Sequence, residues 1–346
     1  MTQSLCPNVR PPYELSIFTS LASSILCVIT IIGNLLVCLA VFKDPQKKLR
    51  TPFMFILVNL AIIDLIVGMV TLPISVVTHG LEAVNKKTLG YVTTARMFYF
   101  VTVTASTFNL ITFCVDRFIA VSKPIKYRTI MSFRICVKVV IVIWTASICI
   151  ACIYLVVGYI DFIIVFAQIS IALVFVMCIV TVRLLRMLNE KTRKRKRLFQ
   201  TTQSVTCSRA RKESSGGIEK QNERVTLLFL TFLWTFLVCY TPAIVMMYLI
   251  KYHVKLDCVV RHVIRDLSFL FVVSNSAFNP LVCTIRLKPF NEAIKIILGF
   301  KVKSSNNSRT MQSSPCRQQH NNNNNNIIKN QQQKGSIGTL NNLLWL

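Results

Sequence analysis

The sequence predicts an all-α fold, a seven-transmembrane helix bundle with a short amphipathic interfacial helix after the last span. Three observations predict it. The 346 residues are 53% hydrophobic and only 15% charged, a balance too apolar for a water-soluble domain. Seven apolar runs, at approximately Ser16–Phe42, Thr51–Thr78, Thr88–Ser122, Phe133–Val157, Phe162–Leu188, Arg224–Ile250 and Val260–Arg286, each reach the roughly 20 residues needed to cross a bilayer. None shows the alternation of a membrane β-strand, so the backbone can satisfy itself in lipid only as helix.

The elements follow in order. Residues 1–15, with Pro7, Pro11 and Pro12, form an extracellular arm too short to fold as a ligand-binding domain. The first apolar run is long enough to span, so it directs its own insertion and is not read as a cleaved signal. Residues 16–287 make the seven-transmembrane domain. Within it, Gly158 to Asp161 is a very short connection. Asn189–Glu223 is long and basic and contains Ser214-Ser215-Gly216-Gly217, which reads as a mobile loop. Over 288–300, Phe290, Ile294, Ile297 and Leu298 share a face opposite Asn291, Glu292 and Lys295, and Pro289 suits a helix start. Residues 301–346, with the Asn321–Asn326 run, are low-complexity and read as a disordered cytoplasmic tail.

A net charge of +27 suggests nucleic acid until its distribution is considered. Of the 40 Lys and Arg, 32 fall on one side of the bundle and 8 on the other. This is the positive-inside signal: it places the N-terminus outside, the C-terminus in the cytosol and the chain in the plasma membrane. Lys191–Arg197 then lies against anionic lipid. The lipid bilayer, and no nucleic acid, is the expected surrounding.

Of 13 cysteines, most lie within apolar helices and behave as small hydrophobes. Cys6 and Cys258 fall outside the membrane on the oxidising side. They either pair, tying the arm to the last outer loop, or remain two free thiols.

Buried polar groups carry the functional signal, because an ionised side chain near a span's centre costs about 2.5–3.5 kcal/mol. Asn34, Asp64, Ser106, Asn275, Ser276 and Asn279 fall at mid-membrane. One carboxylate among amides and hydroxyls either cages a small cation such as sodium or stays protonated; such groups also serve simply as glue between helices. Asp116 and Arg117 end the third run. Pro242 and Pro280 interrupt the sixth and seventh and offer hinges.

These residues, taken in order, resemble the rhodopsin-like (class A) G-protein-coupled receptors, across nearly the whole chain except the tail. The motifs are Gly33-Asn34; Leu49-Arg50-Thr51-Pro52; Asn59-Leu60-Ala61 with Asp64; Asp116-Arg117-Phe118 with Pro124, Ile125 and Tyr127; Trp144; Phe236, Cys239, Tyr240 and Pro242; and Asn279-Pro280. The resemblance implies a heterotrimeric G protein as partner, an extracellular ligand, and arrestin at a tail bearing Ser304, Ser305, Ser313 and Ser314. It implies that Asp116 holds Arg117 at rest, that helix six swings out on activation, and that Ile125 touches the G protein. It also implies an allosteric sodium ion near Asp64 and Ser106, with Asn275, Ser276 and Asn279, and no other cofactor.

The departures from the family pattern are specific. Tyr240 stands where a tryptophan is expected and Cys283 where a tyrosine is. Asn222 replaces the acid at the foot of helix six. Val92 replaces a disulfide cysteine, and helix five lacks its proline. The altered switches permit high basal activity or a silent receptor. The missing bridge and short loop resemble the branch of melanocortin, lysophospholipid, cannabinoid and adenosine receptors, although Ile74, Val92 and Arg96 stand where melanocortin receptors carry acids.

The expected ligand pocket comprises Arg96, Tyr99, Val103, Met247 and Phe269. Tyr99 replaces the amine-binding aspartate and Val273 the retinal lysine, so a peptide or lipid-like ligand is expected before a biogenic amine. Glu82, His253, Arg265 and Asp266 either read a peptide or serve as rim charges. Nothing in the sequence forms a catalytic constellation, so no enzymatic activity is expected. A transporter would predict internal repeats or paired broken helices, and the sequence shows neither.

Overall fold

The structure, a computed structural model, describes residues 9–43, 51–86, 89–157, 159–201, 209–252 and 256–297. Among the described residues, seven helices are long and apolar enough to cross a membrane. Helix one is Tyr13–Phe42, helix two Pro52–Ala83, helix three Leu89–Ser122 and helix four Phe133–Val157. Helix five is Tyr159–Thr201, helix six Arg209–Tyr252 and helix seven Cys258–Arg286. A two-turn loop helix, Pro124–Ile130, follows helix three, and the amphipathic helix spans Lys288–Ile297.

Helix three runs through the middle, packed on helices two, four, five and six, while helix seven closes the ring against helices six and one. The shared core joins Ile56, Leu57, Phe113, Leu228, Phe229 and Phe236. Large apolar side chains on the outer faces, such as Ile141, Phe175 and Trp234, stay exposed, as lipid-facing residues do. Two ends can be named by their arginines: the Arg117 end and the Arg96 end.

Local chemistry explains the helix boundaries. Thr51 is extended and its hydroxyl accepts the Met54 N–H at 3.3 Å, with Pro52 opening helix two, which is ordinary N-capping. Pro73 cannot donate in helix two, and a π-helical turn over Val67–Thr71 takes up the irregularity just before it. Helix two then ends at Asn85, whose φ of 59° is a left-handed conformation that asparagine tolerates.

Close approach of helix one depends on two glycines. A Cβ on Gly33 would sit 2.8 Å from Cγ of Pro280, and one on Gly68 would sit 2.8 Å from Ile31. Gly33 therefore fits the bulk of Pro280 on helix seven, and Gly68 admits helix one against the π-turn.

Several boundaries differ from the sequence reading: helix two runs to Ala83, past the expected Thr78, and helix five begins at Tyr159, inside the connection expected over Gly158 to Asp161. Helix one begins at Tyr13, inside the expected arm. The connection expected as a loop over 189–223 is helical to Thr201 and again from Arg209. Its Lys, Arg, Gln and Glu residues are good helix formers, and its Ser, Thr and Asn residues and Gly216-Gly217 weaken the pattern without removing it. The amphipathic helix stops at Ile297 within the expected 288–300. Phe290 is fully buried and Ala293 nearly so, while Lys295 is exposed; the tail lies outside the described residues.

Candidate functional site

At the Arg117 end, Arg117 is 3% exposed and Asp116 fully buried. Nε of Arg117 donates to Oδ2 of Asp116 at 2.8 Å, and Nη2 donates to the same oxygen. The Tyr127 hydroxyl closes the set: it donates to Oδ1 of Asp116 at 2.8 Å and accepts from Nη2 of Arg117 at 3.1 Å. The guanidinium also lies 4.7 Å from the Phe53 ring centroid, a cation–π contact. Pro124 opens the loop helix and turns the chain back so that Tyr127, one turn in, meets the residues it follows. Burial, reinforced by Asp116, holds the Tyr127 phenol above its ordinary range, so it stays a proton donor. Ile125, on the same helix, is 86% exposed. Nζ of Lys191, on helix five, donates to the Val121 carbonyl, filling one of the acceptors left open at the end of helix three.

Mid-bundle, Asp64 is fully buried. The Asn279 amide donates to its Oδ2 at 2.7 Å, and the Ser276 side chain faces it. Its Oδ1 has no hydrogen-bond partner among the described residues. Asn34 donates to the carbonyls of Thr30 and Ser276, at 2.9 and 3.0 Å, tying helix one to helix seven. Pro280 cannot donate, and the polar side chains cluster beside the helix it interrupts. Ser106 and Asn275 are buried at 6% and 5% but form no described hydrogen bond with Asp64. A second polar clasp joins helices two, three and four. The Asn59 amide donates to Asn109 at 2.9 Å, and the Trp144 indole donates to Asn59 at 3.0 Å.

At the Arg96 end, a cavity of about 110 Å³ lies between helices two, three, six and seven. Its wall includes His79, Glu82, Arg96, Tyr99, Met247 and Phe269. Val103 lies deeper, in a second cavity of about 40 Å³ that shares Tyr99 and Met247 and reaches Tyr240. Glu82 and Asp266 do not stand free at the rim. Nε of Arg265 donates to Asp266 at 2.6 Å, and its Nη2 reaches Glu82 at 3.4 Å. Nδ1 of His79 lies 2.9 Å from Glu82, and the Thr19 hydroxyl donates to Asp266 at 3.3 Å. Asp266 is 1% exposed, so this is a buried ionic knot. His253 lies outside the described residues.

Tyr240 is 7% exposed and stacks on Phe236 at 3.9 Å, and Cys283 is buried. Pro242 and Pro280 both lie inside helices. Cys258 is held in a disulfide; Cys6, the partner in one of the two sequence readings, lies outside the described residues. Sequence reasoning did not single out Asn109, His79, Thr19 or Phe53 for these clusters, and it gave Lys191 only as part of a basic run at the membrane surface. Asn109 alone carried a signal, an amide within the third apolar run.

The geometry is that of a seven-helix membrane bundle with a buried Asp–Arg pair at one end, a polar core around one aspartate and a cavity at the other end. The family described as "7 transmembrane receptor (rhodopsin family)" matches residues 33–161. Human olfactory receptor 4D1 is 38% identical over 136 residues, which is 39% of this chain and 42% of that protein. Human olfactory receptor 4K15 is 34% identical over 146 residues, 42% of this chain and 44% of that protein. Human olfactory receptor 1A1 is 34% identical over 118 residues, 34% of this chain and 37% of that protein. The chain thus spans less than half the length of each of these relatives. Over residues 33–161, and in its seven apolar helices, the chain is thus similar to the rhodopsin-like family of seven-transmembrane receptors. These three relatives are named olfactory receptors.

Proposed function

We propose that the chain is a plasma-membrane receptor, N-terminus outside, that passes binding of an extracellular ligand to a heterotrimeric G protein. The observation that carries it is the Asp116–Arg117–Tyr127 cluster. An arginine is held neutralised at the end of the bundle richest in Lys and Arg, beside an isoleucine, Ile125, that is 86% exposed. Such a charge costs too much to bury without a partner. Outward movement of helix six would free it for a protein docking on that face. Arrestin would engage the tail.

A small organic molecule is the ligand class that the cavity favours. About 110 Å³ admits little of a peptide, and the acids that would read one are already paired. The relatives named olfactory receptors support the same class. A sodium ion fits the middle of the bundle. Oδ1 of Asp64 is a buried carboxylate oxygen without a partner among the described residues, and Ser276 could add a hydroxyl; a bound cation would neutralise the aspartate there.

The test is ligand-free G-protein activation in transfected cells, wild type beside Arg117→Ala, at matched surface expression. Basal signal that disappears in the variant supports the reading, and equal signal from both overturns it. A second reading, a receptor that has lost signalling, draws on Tyr240 and Cys283 at altered switch positions. A well-expressed wild type that stays silent, and gains signal on Tyr240→Trp with Cys283→Tyr, favours that alternative.

A further inference from the structure

Histidine is the side chain whose charge ordinarily changes roughly between pH 5 and 8. Two of the chain's four histidines, His79 and His262, are buried at the Arg96 end, at 8% and 6% exposure. Nδ1 of His79, on helix two, lies 2.9 Å from Oε2 of Glu82 and 3.9 Å from Oδ2 of Asp266 on helix seven. An ionised carboxylate only accepts, so Nδ1 carries the hydrogen and Nε2 is left to take up a proton. His262, on helix seven, donates from Nε2 to the Val9 carbonyl at 3.1 Å. Its Nδ1 is then a lone pair, buried and without a hydrogen-bond partner among the described residues. Each ring has one nitrogen in use and one that can receive a proton.

The charges around the rings set what a proton does there. Around His79 stand Glu82 on its own helix, Asp266 and Arg265 on helix seven, and Arg96 and Tyr99 across the cavity on helix three. His262 is close enough to act on the Glu82 charge. Helix one contributes the Thr19 hydroxyl and helix six Met247, neither of which titrates. Arg10, Glu14 and Lys251, the charged residues of the neighbouring arm and helix ends, are exposed. In the described contacts two carboxylates, Glu82 and Asp266, share the one guanidinium of Arg265. A buried carboxylate short of a partner is costly, and a proton on either ring sets a second positive charge beside the pair. His79 also lines the cavity of about 110 Å³, which gives the proton its way in.

From this arrangement we propose that His79 and His262 form a proton-binding site, and that the proton, arriving from outside the cell, is a second ligand of this chain. The outer location rests on the orientation proposed above; the binding of the proton does not. The knot joins helix one at Thr19, helix two at His79 and Glu82, and helix seven at Arg265 and Asp266. A proton there draws helices two and seven together. A ligand shifts the population toward the state that binds it more tightly. The arrangement that brings His79 to these acids is also the one in which Asp116 and Tyr127 hold Arg117. Acid outside therefore favours the resting bundle.

Protons held more tightly by the folded chain than by the unfolded one add stability at low pH, and that stability is lost as pH rises through the histidine range. The experiment is the melting temperature of the purified full chain in one detergent, at about pH 5.5 and about pH 7.5. Glutamine keeps a donor but takes up no charge. The gain of the wild type on acidification should exceed that of His79→Gln with His262→Gln by about 2–4 °C. His320→Gln, in the tail, should leave the gain intact. If the double variant fails to fold, Glu82→Gln, which removes the facing acid, should reduce the gain in the same way. Equal gains in the wild type and in these variants overturn the site. In transfected cells, ligand-free signal should fall as the outer pH is lowered from about 7.5 to about 6, and the double variant should lose that dependence. A wild-type signal that rises instead overturns the link to the resting bundle. The melting measurement needs no G protein, so the site stands or falls separately from the proposed receptor function.

Discussion

Arg117 tolerates 3% exposure because three partners share its charge: the Asp116 carboxylate, the Tyr127 hydroxyl and the Phe53 ring. The Asp116-Arg117 pair is legible in the sequence because charge at the end of an apolar run demands an explanation. The role of Tyr127 is not, because it depends on how sharply the chain turns at Pro124. Hydrogen bonds to charged groups contribute about 1.5–3 kcal/mol, so Tyr127→Phe should loosen the cluster without emptying it. On the proposed receptor function, ligand-free G-protein signalling should rise several-fold at unchanged surface expression; an unchanged basal signal would mean that Tyr127 does not restrain Arg117. Burial raises the phenol's affinity for its proton. A raised acid pKa contributes stability that is complete below the unfolded value, about pH 10, and is lost as pH rises beyond it. Thermal stability of the wild type should therefore fall above about pH 10 more steeply than that of Tyr127→Phe.

At the scale of elements, the seven spans are legible because lipid leaves the backbone few options, and the apolar length of each run is visible in the sequence. Two features are not. The extension of helices five and six through much of 189–223 hides behind charges that read equally well as loop or as solvated helix. The π-turn at Val67–Thr71 is signalled by Pro73, but a proline can be accommodated in several ways. Gly33 reads as a motif member, yet its physical reason appears only across the bundle, where a Cβ would meet Cγ and Cβ of Pro280 at 2.8 and 2.9 Å. Both contacts are on a rigid ring, so helix one would have to move. Gly33→Ala should destabilise the folded protein by about 1–3 kcal/mol, the usual cost of overpacking. Gly80, in helix two, has nothing within 4 Å of the point a Cβ would occupy. Gly80→Ala should be neutral or stabilising by up to about 1 kcal/mol from helix propensity. Thermal melts of the purified variants in one detergent compare them, and an equal effect at both positions would remove the steric explanation.

Across the whole molecule, the polar residues form a column that joins the two ends. The Arg265 knot lies at one end, Asp64 with Asn279 and Asn34 in the middle, and Asp116 with Arg117 at the other. The membership of the column is largely legible, because each member is a costly residue in an apolar run. The pairing is not, since it depends on helix rotation: the structure joins Asp64 to Asn279 but leaves Ser106 and Asn275 out of that hydrogen bonding. Among the described residues, Oδ1 of Asp64 is the one buried carboxylate oxygen without a partner, and a ligand that satisfies it must stabilise every helix converging there. Binding to the folded state alone adds RT ln(1 + [L]/Kd), about 2.7 kcal/mol at a hundredfold excess over Kd. The melting temperature of the purified chain should therefore be higher in sodium chloride than in choline chloride at equal ionic strength. In Asp64→Asn the difference should vanish, because the variant has no charge to neutralise and its amide supplies its own donor. That variant should also melt higher than the wild type in choline, since it no longer buries an uncompensated carboxylate. A wild type indifferent to sodium would mean that Asp64 is protonated instead, and the two ends would then be coupled through a neutral hydrogen-bonded core with no ion to lose on activation.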